Sequence, residues 1–210
     1  MRPFLAALLV PLAVAAAEPS PRARLVAPDA SPEAAEAVLV GRAAAAQAMT
    51  KLLAELTVAL ASDGPAGAVE VCHLKALPLT TARDPKLPQV TGVKRTSLKV
   101  RNPANAPDAA ERLVLDHVAA LVARGEALPE VLLQRVEPAD APSEWRVYRP
   151  VMTQAGCLAC HGDPLAQPAA LRAVLQARYP QDAALGYRAG DWRGLIRVSV
   201  APPPPAVVGR

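Results

Sequence analysis

The chain contains 210 residues with a formal net charge of +4 at pH 7, and 52% of its residues are hydrophobic. This length and apolar content suit a single domain with a sizeable core rather than a disordered or fibrous chain. The positive charges form no clustered stripe, so the sequence gives no indication that nucleic acid is a partner.

The first 17 residues have the pattern of a targeting segment. Arg2 gives a positive start, an apolar run covers residues 4–14, and small residues follow at 15–17. This run is shorter than the ~20 residues that span a bilayer as a helix. We therefore expect a cleaved signal peptide at residues 1–17 and a periplasmic protein. We expect no membrane span after cleavage, because the later alanine-rich region carries charged residues.

Two helices are predicted in the first half of the chain, after a flexible lead-in at residues 18–30. A Ser-Pro-Glu sequence at residues 31–33 is a typical helix start, and helical periodicity continues to residue 61. The Asp-Gly-Pro sequence at residues 63–65 ends this helix, and a second one follows at residues 66–77. The first helix carries an apolar stripe formed by Met49, Leu52, Leu53, Leu56 and Leu60.

The second half of the chain combines predicted strands with shorter helices. Helices are expected at residues 107–124 and 171–178, and strands at residues 94–101, 131–136, 145–151 and 195–200. The later strands mostly lack a helix-sized crossover connection between them, which favours an antiparallel sheet packed against helices. The expected fold class is therefore α+β. A proline-rich disordered tail is expected at residues 201–210.

The stretch Cys157-Leu158-Ala159-Cys160-His161 has the spacing of a c-type haem attachment site. Two thiols three residues apart can form thioether bonds to the two vinyl groups of one porphyrin. The histidine that follows the second thiol then reaches the iron as an axial ligand. The motif predicts one covalent haem c per chain, bound through Cys157 and Cys160, with His161 as a metal ligand.

Three other interpretations of this cysteine pair remain open. It could be a redox dithiol of the thioredoxin type, although that site requires a helix after the cysteines and the Gly-Asp-Pro sequence at residues 162–164 disfavours one. It could hold a zinc ion together with His161, although no second cysteine pair supplies further ligands. It could also close a small disulfide loop.

Cys72 is the one cysteine outside this motif. An unpaired thiol in an oxidising compartment needs protection, which coordination to iron would provide. The alternative is a buried thiol that acts as a small apolar side chain. Cys72 and His73 are neighbours in the predicted second helix and lie about 100° apart around its axis, so only one of them suits a given iron. Neutral imidazole is also a good iron ligand, which leaves both residues as candidates.

Several stretches of the chain occur together in a known family. These stretches are Arg95-Thr-Ser-Leu-Lys-Val-Arg-Asn-Pro-Ala-Asn-Ala-Pro-Asp108, Tyr148-Arg-Pro150, Cys157-Leu-Ala-Cys-His-Gly162, Tyr179-Pro-Gln-Asp-Ala-Ala184, Gly186-Tyr187 and Gly190-Asp-Trp-Arg-Gly194. Through them the chain resembles, over about residues 33–200, single-haem c-type cytochrome domains with a PAS-like fold, long catalogued as a domain of unknown function. Such domains occur alone in the periplasm or as the sensing part of histidine kinases.

The resemblance implies that residues 31–200 form a PAS-like antiparallel sheet flanked by helices, with a long N-terminal helix and one covalent haem. It also implies histidine on one side of the iron and a cysteine sulfur on the other. His161 would then be the proximal ligand and Cys72 the distal one, with His73 as the alternative.

Arg95 and Arg101 are candidate partners of the two haem propionates, because they share one face of a predicted strand. A solvated strand face is the alternative interpretation of these charges.

The expected function is sensing of redox state or of a diatomic gas such as NO or CO, through loss of one iron ligand. A cysteine thiolate stabilises ferric iron, and the neutral thiol formed on reduction would bind weakly. Periplasmic electron transfer is the alternative. Peroxidase-like catalysis is a third class, but two strong ligands leave no open position on the iron. We therefore expect a protein that is not an enzyme and that acts through a redox or signalling partner.

Overall fold

The computed structural model describes residues 22–74 and 84–203, with the backbone alone at residues 71–74. The predicted signal peptide and most of the predicted proline-rich tail lie outside the described residues. The helices of the described part are α1 (Pro32–Leu74), α2 (Ala109–Ala123), α3 (Leu158–His161) and α4 (Ala169–Arg178).

The described residues contain five strands, β1 (Arg22–Val26), β2 (Val90–Thr96), β3 (Leu132–Glu137), β4 (Glu144–Met152) and β5 (Trp192–Val200). They form one sheet in the order β1-β3-β4-β5-β2. Every neighbouring pair in this sheet is antiparallel. The predicted α+β class, with an antiparallel sheet and a long N-terminal helix, is confirmed.

Strand β1 lies within the segment that was expected to be a flexible lead-in. It pairs with β3 from Arg22, opposite Glu137, to Val26, opposite Leu133. The prediction for residues 18–30 is therefore wrong over β1. The reason is long-range, because β1 supplies backbone partners for the N–H and C=O groups along the outer edge of β3.

Helix α1 is kinked at the predicted stop sequence. Gly64 has φ +67° and ψ −174°, which is not a helical conformation, and Pro65 follows it. A positive φ favours glycine, and proline suits the first turn of a new helical segment. The predicted break between two helical segments is confirmed. The predicted end of the second segment, at residue 77, lies outside the described residues.

The first segment of α1 packs on one face of the sheet through small side chains. Helix and sheet are in close contact at Gly41, where a Cβ atom would lie 2.5 Å from the Val147 side chain of β4. The distance between helix and sheet therefore depends on these small residues. The core on this face consists mainly of Ala34, Ala37, Val38, Ala44, Ala45, Ala48, Val93, Leu133, Trp145, Val147, Ile196, Val198 and Val200.

By length and composition alone, the part of α1 at Pro32–Glu70 would be long and apolar enough to cross a membrane. The sequence-based expectation that no stretch after the leader passes this test is therefore wrong. Core helices that pass the same test are mostly buried, whereas the window in α1 is 22% buried and packs on the sheet through its alanine-rich face.

Helix α2 covers the other face of the sheet. At its N-terminus, the Asp108 side chain accepts a hydrogen bond from the Glu111 N–H (2.7 Å), and the Glu111 side chain accepts one from the Asp108 N–H (2.9 Å). This reciprocal pair is a capping box. The sheet is thus covered on both faces. The core on this second face consists of Val114, Leu115, Val118, Leu132, Tyr148 and Leu195.

Glu111 also connects α2 to two strands. Its fully buried carboxylate lies 2.7 Å from Lys94 Nζ on β2 and 3.0 Å from Arg197 Nε on β5. Burying a carboxylate is costly unless it is paired. The two cations therefore allow this acidic residue to lie between helix and sheet.

Strand β2 ends at Thr96, whereas the sequence predicted a strand over residues 94–101. At Ser97, side-chain bonding replaces sheet pairing: its Oγ accepts from the Lys99 N–H (3.2 Å) and donates to the Arg193 carbonyl oxygen (2.8 Å). Such side-chain to backbone bonds are typical of turns. The prediction missed residues 90–93 of β2 and ran past Thr96, because the alternating sequence pattern continues past the end of the sheet pairing.

Candidate functional site

The predicted attachment segment follows directly after β4. A 3₁₀ helix at Ala155–Cys157 leads into α3, which contains Cys160 and His161. The start of the segment is tied to the loop before β5, because the Thr153 N–H donates to the Asp191 carbonyl oxygen (2.8 Å). The two cysteines and the histidine therefore lie on consecutive turns at one end of the sheet.

The surroundings of the cysteine pair differ from those of the alternative sites. Cys157 and Cys160 are not joined in a disulfide. The sheet before them is antiparallel, so the described part of the chain lacks the strand–helix–strand unit of a thioredoxin-type dithiol. Within the described ranges, no three His, Cys, Asp or Glu side chains are grouped in a way that could hold a metal ion.

The imidazole of His161 is held in one orientation. Its Nδ1 lies 2.8 Å from the Ala184 carbonyl oxygen, and because a carbonyl only accepts, Nδ1 carries the proton. Nε2 then offers a lone pair, and metal-binding histidines are commonly oriented by such a bond to the other nitrogen. Burial, followed by the positive charges of Arg101 and Arg193, lowers the pKa of His161 to about 3. The ring is therefore neutral at pH 7, which is the form that binds a metal.

The loop at residues 182–187 packs against the same histidine. The N–H groups of Gly186 and Tyr187 donate to the carbonyl oxygens of Gly162 (2.8 Å) and His161 (2.9 Å). The Tyr187 and His161 rings meet edge to face, with 6.3 Å between their centroids and an interplanar angle of 89°. A segment that follows later in the chain thus fixes both the backbone and the ring of His161.

Arg101, a predicted propionate partner, makes several bonds within the protein. Its Nε donates to Asp182 Oδ2 (2.8 Å), and its Nη2 donates to the Cys160 carbonyl oxygen (2.6 Å). The two side chains are 10% and 7% exposed. Asp182 Oδ1 also accepts from the Ala184 N–H (2.8 Å). Arg101 therefore links the attachment segment to the loop that orients His161, and its contact with a propionate stays a prediction.

A large cavity opens beside His161 and the two cysteines. Its empty space, open solvent included, is about 1280 Å³. The apolar stripe predicted on the first helix borders it and forms one wall. The residues of this wall are Met49, Leu52, Leu53, Leu56 and Leu60.

The polar lining of the cavity is positively charged. Among the described residues, four cationic side chains border the cavity and no aspartate or glutamate does: Arg95, Lys99, Arg101 and Arg193. Arg95 is the other predicted propionate partner, and that contact also stays a prediction.

Among the polar atoms of the lining, Oδ1 of Asn105 and Oγ1 of Thr153 are buried without a hydrogen-bond partner. Such atoms are costly unless a ligand or water satisfies them. An apolar wall beside cations, unsatisfied polar atoms and a free imidazole nitrogen suits a large, flat, apolar cofactor that carries carboxylates, as haem does.

The side chains of Cys72 and His73, the predicted distal ligands, lie outside the described residues. The helix backbone continues through these positions to Leu74. Val69, on the same segment, borders the cavity. Helical positions three and four residues apart share one side of a helix, so the backbone is consistent with either ligand.

Sequence reasoning did not identify Asp182, Ala184 or Arg193 as site residues. Ala184 acts through its backbone carbonyl, which no residue type reveals. Asp182 and Arg193 belong to two of the stretches that carry the family resemblance, residues 179–184 and 190–194, and that resemblance was the signal that could have drawn attention to them. Their contacts depend on how distant loops fold over the attachment segment.

Comparison with known proteins gives a family and one solved structure. A family model described as Tll0287-like (Tll0287) matches residues 31–201. The crystal structure of the cyanobacterial heme-protein Tll0287 matches at 30% sequence identity and a TM-score of 0.41, covering 52% of this chain and 60% of that chain. The match thus spans less than two thirds of that protein. None of the curated proteins matches this chain.

Proposed function

The chain belongs to the Tll0287-like family, whose model covers residues 31–201, and on that premise we propose that it binds one haem c covalently. The observation that carries this proposal is the arrangement of His161. The bond from its Nδ1–H to Ala184 leaves Nε2 available beside a large cavity with an apolar wall. The sequence Cys-x-x-Cys-His at this position supplies both attachment and ligation.

In this proposal Cys157 and Cys160 attach the cofactor, each thiol adding its sulfur and hydrogen across one vinyl group. His161 binds the iron through Nε2. Arg101 and the loop at residues 182–187 keep the ring from turning. When bound, the haem would supply a one-electron redox centre.

We propose Cys72 as the second axial ligand. Support for Cys72 comes from the family resemblance and from the need to protect a spare thiol in an exported protein. Val69 borders the cavity from the same helical segment, which is consistent with either Cys72 or His73. A thiolate at this position stabilises ferric iron. His73 is the alternative, and absorption spectra of single variants separate the two.

The function proposed for this site is sensing of redox state or of NO or CO. When a redox partner supplies an electron, the Cys72 thiolate would take up a proton from solvent, and the neutral thiol, a weak ligand, would leave the iron. The segment of α1 after Gly64 would carry this change to a signalling partner. Periplasmic electron transfer is the second candidate. It is supported by Met152, which borders the cavity and is 43% exposed, so that one edge of the cavity lies near solvent.

Export to the periplasm and the lack of an enzymatic role are also part of the proposal. The first rests on the leader pattern at residues 1–17. The second rests on the two axial ligands, His161 and Cys72, which together leave the iron no open position for substrate.

Covalent attachment is tested first, by producing the full chain in an export host with haem-attachment machinery. Wild type should retain haem stain on a denaturing gel, and the double variant Cys157→Ala/Cys160→Ala should lose it. Each single variant should show the absorption shift of a haem with one free vinyl group. A wild-type protein without covalent haem would refute the proposal.

Ligation and function are then tested with ferric and ferrous absorption spectra, with and without CO. Wild type should be low-spin when ferric and should bind CO only after reduction. Cys72→Ser should change the ferric spectrum, whereas the matched control His73→Gln should not. The reverse pattern would assign His73 as the ligand. A wild type that stays six-coordinate on reduction and does not bind CO would favour electron transfer over sensing.

A further inference from the structure

The cavity that we assign to haem has a charge imbalance. Its described lining contains four cationic side chains and no carboxylate. Cations that are partly removed from water are stabilised by an anion nearby. A cavity of this kind is therefore suited to a ligand with negative charge, and the charges of haem are its two propionates.

Arg101 and Lys99 have partners within the protein that account for their positions. Arg101 is paired with the buried carboxylate of Asp182 (2.8 Å), so its charge is balanced within the protein. Lys99 Nζ donates to the Leu185 carbonyl oxygen (3.0 Å) and lies 4.7 Å from the centroid of the Tyr187 ring. Neither residue needs an external anion to explain its contacts.

Arg193 is in a different position. Its Nη1 donates to Ser97 Oγ (2.9 Å) and to the Lys99 carbonyl oxygen (3.0 Å), and its Cζ lies 5.2 Å from the Tyr187 ring centroid. No carboxylate among the described residues forms an ion pair with it. Burial lowers the pKa of Arg193, and the positive charges of Arg101 and Arg95 act in the same direction.

The backbone that carries Arg193 is closely packed. The next residue, Gly194, has φ +154°, and a Cβ atom there would lie 2.5 Å from the Thr96 carbonyl oxygen. Bonds from Nη1 to Ser97 and Lys99 hold the guanidinium at the end of β2. A planar guanidinium held in this way can bind a carboxylate with two parallel hydrogen bonds at little further entropic cost.

We propose that Arg193 binds a carboxylate at the cavity, and that this carboxylate is a haem propionate. The assignment rests on the proposed function, because it requires haem in the cavity. It gives Arg193 a direct role in cofactor binding and gives Arg101 a positioning role through Asp182 and Cys160.

The test uses haem-loaded full-length protein and three variants. Arg193→Gln removes the charge. Arg193→Lys keeps the charge but cannot form the two parallel hydrogen bonds of a planar guanidinium. Arg188→Gln is the control. Arg188 is exposed, lies in the same loop region and does not border the cavity. The readouts are covalent haem content, the propionate bending band in resonance Raman spectra, and the midpoint potential.

Arg193→Gln should shift the propionate band and lower the midpoint potential, because a cation near the haem favours the reduced iron. Arg193→Lys should shift the band by a smaller amount and keep most of the potential, and Arg188→Gln should match wild type. If Arg193→Gln retains haem and leaves both readouts unchanged, Arg193 is a structural residue and the inference is wrong. If Arg193→Gln does not fold, the Raman band of Arg193→Lys decides.

The experiment distinguishes failure of the proposed function from binding of a carboxylate other than a haem propionate. If wild type carries no covalent haem, the proposed function itself fails. A free carboxylate is tested by titrating wild type with acetate. If acetate changes the spectrum of wild type but not that of Arg193→Gln, Arg193 binds an external carboxylate and the propionate assignment is refuted.

Discussion

The Nδ1 atom of His161 and the carbonyl oxygen of Ala184 lie 2.8 Å apart, and this bond joins the attachment segment to the loop before β5. The acceptor is neutral, so it fixes the tautomer and direction of the ring without drawing the proton away as a carboxylate would. Ala184 is itself held by Asp182, which accepts from its N–H. The direction of the proposed iron ligand is therefore set by a chain of contacts from Arg101 through Asp182.

The first prediction concerns the ion pair between Arg101 and Asp182. Asp182→Asn keeps an acceptor for the Ala184 N–H but leaves the guanidinium of Arg101 without its counter-charge. Since both side chains are at least nine-tenths buried, the free energy of unfolding should fall by about 3–5 kcal/mol, as expected when one partner of a buried pair is lost. Urea unfolding of the haem-loaded protein would measure it.

Asp116→Asn is the matched control, because Asp116 pairs with Arg112 on the exposed side of α2, where the side chains of Arg112 and Asp116 are 60% and 51% exposed. Such surface pairs contribute at most about 1 kcal/mol. Equal effects of the two substitutions would contradict a special role for Asp182.

A second prediction concerns Glu111, the buried carboxylate between α2 and the sheet. Glu111→Gln keeps the shape of the side chain but removes the charge that Lys94 and Arg197 share. The free energy of unfolding should fall by about 3–5 kcal/mol, because two partly buried cations lose their common partner. Thermal unfolding followed by circular dichroism would show it. The exposed Glu126→Gln serves as control, and a comparable loss there would argue against the network.

The third prediction is a pH dependence at the N-terminus of α2. Burial raises the pKa of Asp108, but the hydrogen bond from the Glu111 N–H and the charge of Arg146 lower it more, so the net shift is downward. The unfolded state then binds more protons, and the stabilisation is present above pH 3.8 and lost as the pH falls through the folded pKa.

Asp108→Asn and Asp108→Ala separate the charge from the cap. Asparagine is also a good N-cap, so Asp108→Asn should lose only the charge-dependent stabilisation at pH 7 and should be less sensitive to acid than wild type by the same amount. Asp108→Ala should lose about 0.5–2 kcal/mol at pH 7. The check is a set of urea unfolding curves between pH 7 and pH 3, and parallel pH profiles for wild type and Asp108→Asn would rule out the charge effect.

The fourth prediction tests the close contact between α1 and the sheet. Alanine is better than glycine in a helix by about 1 kcal/mol, but the new methyl group of Gly41→Ala would lie 2.5 Å from Val147. Overpacking of this kind should outweigh the gain and destabilise by about 1–3 kcal/mol. Ala43→Ser, at an exposed position of the same helix, should stay within about 0.5 kcal/mol. Stabilisation by Gly41→Ala would show that the contact relaxes.

Features that depend on residues adjacent in the sequence could be predicted from the sequence. The break at Gly64 follows from glycine before proline, and the place of His161 next to the second cysteine follows from the spacing of the motif. In contrast, β1 forms because β3 has an edge to pair, and Ala184 matters because its loop folds over His161. These contacts join residues far apart in the chain, and no local pattern of residue types encodes them.

The pairing of β2 with β5 also joins distant residues, since Val90 stands opposite Val200 and Thr96 opposite Leu195. The attachment segment lies inside the loop that this pairing closes. Closing so long a loop reduces the conformational entropy of the chain before the contacts between β2 and β5 can stabilise it. The pairing of β2 with β5 should therefore be a slow step in folding. The end of β5 that carries Arg193 reaches Ser97 only when the last strand docks. A chain cut before β5 would keep the complete Cys-x-x-Cys-His sequence, and it would have no pocket around it.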